Sequence, residues 1–233
     1  MASPYTVRVP QPAANDRPPL TRERILAAGV ELADEHGLVG LSMRKLAGHL
    51  GFEVMSLYNH VAHKRDLLEG MLDLVAAEVA LPSPEDVDWK TGLRELSIAQ
   101  RDLLLRHRWA GPISTEHFPG PHRWRIFDRT LALLAAGGID GELRDVGYHA
   151  LTMHVAGFSG QQIAYDVDDA STQQLYARVQ REFDATEHPW MAEHLAYHRD
   201  PTRGPVAHPD TFGFALDLIL DGLERARNAE RAP

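Results

Sequence analysis

Between residues 20 and 80 the apolar positions recur at helical spacing and are interrupted by glycines. Ile25, Ala28, Gly29, Leu32 and Ala33 fall at i, i+3, i+4, i+7 and i+8, one face of an amphipathic helix. Thr21 stands before the run as an N-cap, Glu23 places an anion in the first turn, and Gly37 ends it. A second helix opens at Ser42, whose hydroxyl can accept a free backbone N–H. It carries Leu46, Ala47 and Leu50 on one face and stops at Gly51. A third, over about 54–60, turns Leu57 and Val61 inward at i, i+4. It leaves Val54, Met55, Ser56, Tyr58 and Asn59 largely outward. Two helices too short to be stable alone, joined by about four residues, predict a helix-turn-helix, whose second helix enters a DNA major groove.

The helical spacing continues to the C-terminus. A helix over about 64–80 has Leu68, Met71, Leu72, Val75 and Val79 on one side, and Pro82 and Pro84 break it. The next, about 88–107, buries Leu93, Leu96, Leu103 and Leu104. Residues 110–121 are Pro/Gly-rich and irregular, with room for one short helical turn. Residues 122–136 carry Trp124, Phe127, Leu131 and Leu134, and Gly137–Gly138 stops them. A long helix over 141–165 puts Leu143, Val146, Ala150, Leu151, His154 and Phe158 on one side. After an acidic turn at 166–171 come a helix near 171–184 and a loop at 199–210. The last helix, about 210–227, has Phe212, Leu216, Ile219 and Leu223 on one stripe and Phe214 and Leu218 on another. No strand alternation, P-loop or internal repeat interrupts the pattern, so the expected fold is all-α.

Composition narrows the function classes. The 233 residues contain no cysteine, which removes disulfides, thiol catalysis and Cys-ligated zinc. No stretch approaches the roughly 20 apolar residues that span a bilayer. The first nineteen residues are polar and Pro-rich, without a signal-peptide core, and are expected to be disordered. A cytoplasmic protein follows. The net charge of −9 is unexpected for a nucleic-acid binder, but its distribution is uneven. Within 42–65, Arg44, Lys45, Lys64 and Arg65 oppose only Glu53, while the chain is acidic beyond residue 81. A small basic head on an acidic body repels phosphate except where the head docks.

The segments TRERILAAGVELADEHG and LSMRKLAGHLGFEVMSLYNHVAHKRDLLEGM resemble the N-terminal domain of TetR-type transcriptional regulators. Over the remaining residues the helix order resembles the C-terminal domain of the tetracycline-repressor branch. The resemblance implies a homodimer of all-helical subunits whose heads read a palindromic operator on double-stranded DNA. It also implies that a small-molecule inducer bound by the C-terminal domains releases the DNA. It gives Arg44 a base edge, makes Val54, Met55, Ser56 and Asn59 variable base-reading positions, and sets Tyr58, His60 and Lys64 on the phosphates. Ser42 caps the helix that presents Arg44. Taken as isolated residues, outside the motif, Arg44 and Lys45 read instead as a solvated helix face and Tyr58 as a half-buried core aromatic. Tetracycline repressors carry polar or constrained residues where this chain has Val54 and Met55, so its operator should differ, with apolar contacts to thymine methyls.

The implied organisation is a tail over 1–19, a DNA-binding domain with connecting helix over 20–80, and a helical-bundle domain for ligand and dimerisation over 81–233. A cavity in that bundle can draw on Gln100, on Trp124, Phe127 and Thr130, and on His154, Phe158 and Gln161, with His117 and Phe118 as a gate. Each of these reads also as plain core. The layout places Ser114 near the position of the histidine that holds magnesium in tetracycline sites, which argues against tetracycline itself. His194 and His198 stand at i, i+4, but no third ligand or HExxH accompanies them, and no metal or other cofactor is expected. No catalytic residues are expected, since no GxSxG or dinucleotide fingerprint is present. Small residues Gly147, Ala150, Ala156, Gly157 and Gly160 allow close approach of helices. With the two-faced last helix they predict a four-helix dimer interface, or else both helices lie inside one bundle. The expected function is a ligand-responsive dimeric repressor. A constitutive or protein-controlled regulator and an all-α enzyme with a relic head are the alternatives.

Overall fold

In the computed structural model, which describes residues 18–165, 174, 178–179, 182–198 and 209–231, the expected caps start the first helices. Thr21 accepts from the Arg24 N–H at 3.3 Å and opens α1, Arg22–Gly40. Gly37, at φ +65°, breaks α1 where the sequence ends it. Ser42 accepts from the Lys45 N–H at 3.2 Å and opens α2, Met43–Leu50. Gly51 then turns the chain at φ +75°, with its own N–H on Gly48 and the Phe52 N–H on Ala47. That pair of bonds closes a helix end, and only glycine adopts this φ without strain. Next come α3, Val54–Tyr58, and α4, Lys64–Ala76. α4 is capped by the Nδ1 of His63, an unexpected side chain in that role.

The body is built from α5, Trp89–Arg106, the single turn α6, Ala110–Ile113, α7, Pro121–Ala136, and α8, Gly141–Tyr165. α9, Pro189–His198, and α10, Pro209–Glu230, complete it. Asp88 caps α5 by accepting from Lys90 N–H at 3.0 Å. Among the described residues every element is helical. α1 packs on α2 and α4 in the head, while α5, α7, α8 and α10 pack on one another in the body. α4 also packs on α7, and one buried apolar cluster runs through both parts. Asp34 on α1 fastens them further, accepting from His107 Nδ1 at 2.8 Å and from Trp109 Nε1 at 2.7 Å.

Several expectations change. α4 ends at Ala76, although Val79 is still buried beyond it. The buried face of α7 is Ile126, Thr130, Leu133 and Leu134, while Trp124 and Leu131 are exposed. α7 carries two apolar sets, and α4, α5 and α8 cover only one of them. Val146 on α8 is exposed, and Gly147, Leu151, Val155 and Ser159 face inward instead. α9 had no sequence expectation. The tail (save for its last two residues), most of the helix expected near 171–184 and most of the 199–210 loop lie outside the described residues, as does the side chain of His198.

Candidate nucleic-acid interface and ligand cavity

Leu57 and Val61 are fully buried, which fixes the roll of α3 against the head. That roll leaves Met55 74% exposed and Tyr58 41% exposed, with Asn59 also on the surface. Val54 and Ser56 are half-buried, and Val54 packs on the core rather than pointing fully outward. Its position in the first turn of so short a helix brings it against its neighbours. Arg44 and Lys45 are exposed on α2. Lys64 is exposed at the start of α4, where its ammonium donates to the Leu41 carbonyl at 3.3 Å, leaving two N–H groups for another acceptor. His60 is half-buried, and its carbonyl accepts from Arg22 Nη1 at 2.9 Å. α2, the turn and α3 therefore present a cationic and apolar edge suited to a duplex groove.

The body holds a cavity of about 400 Å³. Three of the expected residues, Gln100, His117 and Phe127, stand on its wall. Gln100 Nε2 donates to Leu96 O at 3.3 Å, and His117 Nδ1 donates to Ile113 O at 2.9 Å. The other candidates lie elsewhere. Phe118 is 69% exposed, and Trp124 stacks edge-on between Phe118 and Phe127 at the surface. Thr130 is buried beside a void of about 20 Å³ and donates to Ile126 O at 3.0 Å. His154 stacks on Phe212 of α10 with centroids 4.6 Å apart, and Phe158 meets the same ring at 5.2 Å. Gln161 is exposed. The face of α8 turned to the cavity carries Tyr148, Thr152, Val155 and Ala156, and the face with His154 and Phe158 turns to α10.

Apart from Ser114, the sequence did not single out the other wall residues as cavity candidates. Leu72, Val75 and Ala76 come from α4, so the connecting helix is itself part of the wall. Their apolar stripe had signalled only core. Arg123 on α7 donates to the carbonyls of Ser114, at 2.6 Å, and His117, at 3.1 Å. Burial lowers its pKa, against the attraction of Asp73 and Glu69. Burial holds the Tyr148 phenol above its ordinary range, so it stays protonated as a donor. Ser114 donates to Gly111 O at 2.9 Å, and no cluster of metal-ligating side chains occurs among the described residues.

α7 begins in an unusual way. Pro121 at its first position has no N–H, and the preceding Gly120 has no side chain to cap with. Asp73 of α4 takes over, accepting from the N–H groups of His122 at 2.9 Å and Arg123 at 3.0 Å and from His122 Nδ1 at 2.9 Å. A Cβ on Gly120 would lie 2.4 Å from the Asp73 carboxyl carbon, so only glycine admits this approach. The connecting helix thus caps the helix that carries Arg123 and Phe127.

His154 offers a pH test. Burial lowers its pKa below the ordinary 6.5, opposed by its hydrogen bond to Phe212 O. The unfolded chain then takes up a proton first as pH falls, so the stabilisation is present above 6.5 and lost through the folded value. Tm is expected to fall on acidification below 6.5, and less steeply in His154→Gln. Equal slopes in the two proteins would count against this assignment.

Comparison with known proteins matches both parts. Residues 25–71 match the family described as bacterial regulatory proteins, tetR family. Residues 81–227 match the tetracyclin repressor-like C-terminal domain. The chain is 32% identical to the HTH-type transcriptional repressor DrrR1 of Streptomyces coeruleorubidus, over 96% of this chain and 85% of that one. It is 30% identical to the class G tetracycline repressor of Vibrio anguillarum, over 90% and 96%. The crystal structure of the Streptomyces coelicolor TetR family protein ActR in complex with actinorhodin superposes with a TM-score of 0.75 at 30% identity, covering 90% of this chain and 99% of that one.

Proposed function

The chain belongs to the tetR family of bacterial transcriptional regulators, a family of DNA-binding repressors, and from that premise we propose how it is switched. It is a homodimer that holds a palindromic operator with two heads, and a small molecule in the 400 Å³ cavity releases it. Residues 20–80 form the DNA-binding part and 81–233 the ligand and dimer part. The single observation that carries the switch is α4, whose Lys64 end lies in the head and whose Leu72, Val75 and Ala76 wall the cavity. A ligand that prefers one placement of α4 changes the placement of the head, and affinity for DNA changes by the difference in its binding to the two states. That ActR is seen in complex with actinorhodin supports a small molecule as the inducer here.

In the head, Arg44 reads a base edge, and Met55, Ser56 and Asn59 with the edge of Val54 face the groove. Tyr58, His60 and Lys64 hold phosphate. The protein works in the cytoplasm on DNA and carries out no catalysis. No helix among the described residues is long and apolar enough to cross a membrane.

The test is binding to an operator selected from random duplexes by the wild-type protein. Arg44→Ala and Tyr58→Ala are each expected to weaken binding about tenfold, and Arg44→Ala alone to relax the preference at one base pair per half-site. Wild-type affinity in both variants would remove the head assignment.

A further inference from the structure

The cavity wall is apolar except at a few places, and its charge is one-sided. Among its lining residues there is no aspartate, glutamate or lysine, and Arg123 is the one arginine. The guanidinium lies 5.9 Å from the Phe127 ring centroid. Two of its five N–H groups hold the Ser114 and His117 carbonyls, which leaves three. The two carboxylates whose charge reaches it are committed elsewhere. Asp73 serves His122 and the start of α7, and Glu69 accepts from Arg65 at 3.0 Å and from the Phe118 N–H at 3.3 Å. Arg123 is therefore a partly desolvated cation, held in place by neutral carbonyls, at the edge of an apolar space.

Such a site discriminates by charge. A cationic guest meets a like charge with no carboxylate in the wall. A neutral guest leaves the guanidinium as it is. An oxygen anion gains a charge-assisted pair with a fixed, planar donor set, which is stronger than a neutral hydrogen bond. The rest of the wall takes an apolar body, to which Phe127 and Tyr148, edge to face at 6.4 Å, offer aromatic surface. We infer that the molecule bound here is an organic acid: a ring-bearing apolar body whose carboxylate or ionised enol oxygen is received by Arg123. This rests on the reading of the cavity as the inducer site.

The probes are anthraquinone, xanthone and hydroxynaphthalene carboxylates, each beside its carboxamide and its aminomethyl analogue. Binding to the full chain is followed by calorimetry and thermal shift, with operator affinity of the ligand-free protein measured in parallel. At least one acid is expected to bind, about tenfold or more tightly than its carboxamide. Arg123→Gln should bind acid and amide alike, and Arg123→Lys should keep part of the preference. Because Arg123 also holds two carbonyls, the Lys variant and the wild-type acid–amide comparison stand even where the Gln variant does not fold. The inference is overturned if amides or amines bind as tightly as acids, if Arg123→Gln keeps the preference, or if no acid in the set binds. Operator binding that persists in those cases leaves the DNA-binding reading intact. An acid that binds through Arg123 without releasing DNA upholds the inference and defeats the inducer reading.

Discussion

The double substitution Phe214→Arg, Leu218→Arg is expected to give a folded monomer whose operator affinity is lower by about 10²–10⁴-fold. α10 buries Phe212, Leu216, Leu220 and Leu223 against its own subunit. On its other side Phe214 is 65% and Leu218 is 56% exposed, one helical turn apart. The adjacent α8 exposes Val146 and Met153. Large apolar side chains on two packed helices are unusual on a free surface, and a two-fold axis lets the same patch cover itself. A single head gains little from one half-site, and joining two heads makes the second binding step intramolecular. Arginines at exposed positions cost the subunit little, while two pairs of facing cations oppose dimerisation. Sedimentation equilibrium and fluorescence anisotropy on the operator read both effects. A double variant that is still dimeric would place the interface elsewhere.

Asp66→Ala is expected to lower stability by about 1–3 kcal/mol, with the head melting first and operator affinity falling with it. Asp66 accepts from Arg22 Nη1 at 3.0 Å and Nη2 at 2.5 Å, and from the Ala62 N–H at 2.7 Å. Arg22 in turn donates to His60 O at 2.9 Å. One carboxylate and one guanidinium thus tie α1 to the link between α3 and α4, on which the pose of the recognition helix depends. Both side chains are partly exposed, so the lower half of the range is the closer figure. The Arg22 hydrogen bond holds the Asp66 carboxyl below its ordinary 3.8, so the stabilisation is whole above 3.8 and fades as pH falls through the folded value. The variant should therefore lose its deficit relative to wild type in strong acid. Thermal melts across pH decide it, and a wild-type Tm at neutral pH would contradict it.

The head was legible because its signals are local. The stripe from Ile25 to Ala33 and the pair Leu57 and Val61 have single apolar faces, and Thr21 and Ser42 are ordinary caps. The capping role of His63 was not, because a ring nitrogen rarely serves there. The body was legible as helices but not as faces. α7 and α8 are apolar on two sides, and periodicity cannot say which neighbour claims which side. The aromatic side of α7 reached the cavity only through Phe127, and on α8 Phe212 claimed His154 and Phe158. Arg123 carries no local mark at all, since its part depends on Ser114, His117 and Asp73 folding around it.

The Asp73 cap bears on the building of hybrid regulators. The seam suggested by the chain, near Pro82, separates head from body after α4. A foreign head grafted there brings its own α4 and discards both Asp73 and the three cavity-wall residues. The start of α7 would then be left without its acceptor, and the pocket with a new wall. Exchange just before Lys64 keeps the Asp73 cap and the cavity wall whole. It leaves Lys64 with the body, however, and requires the incoming α1 to bring Asp66 an arginine in place of Arg22.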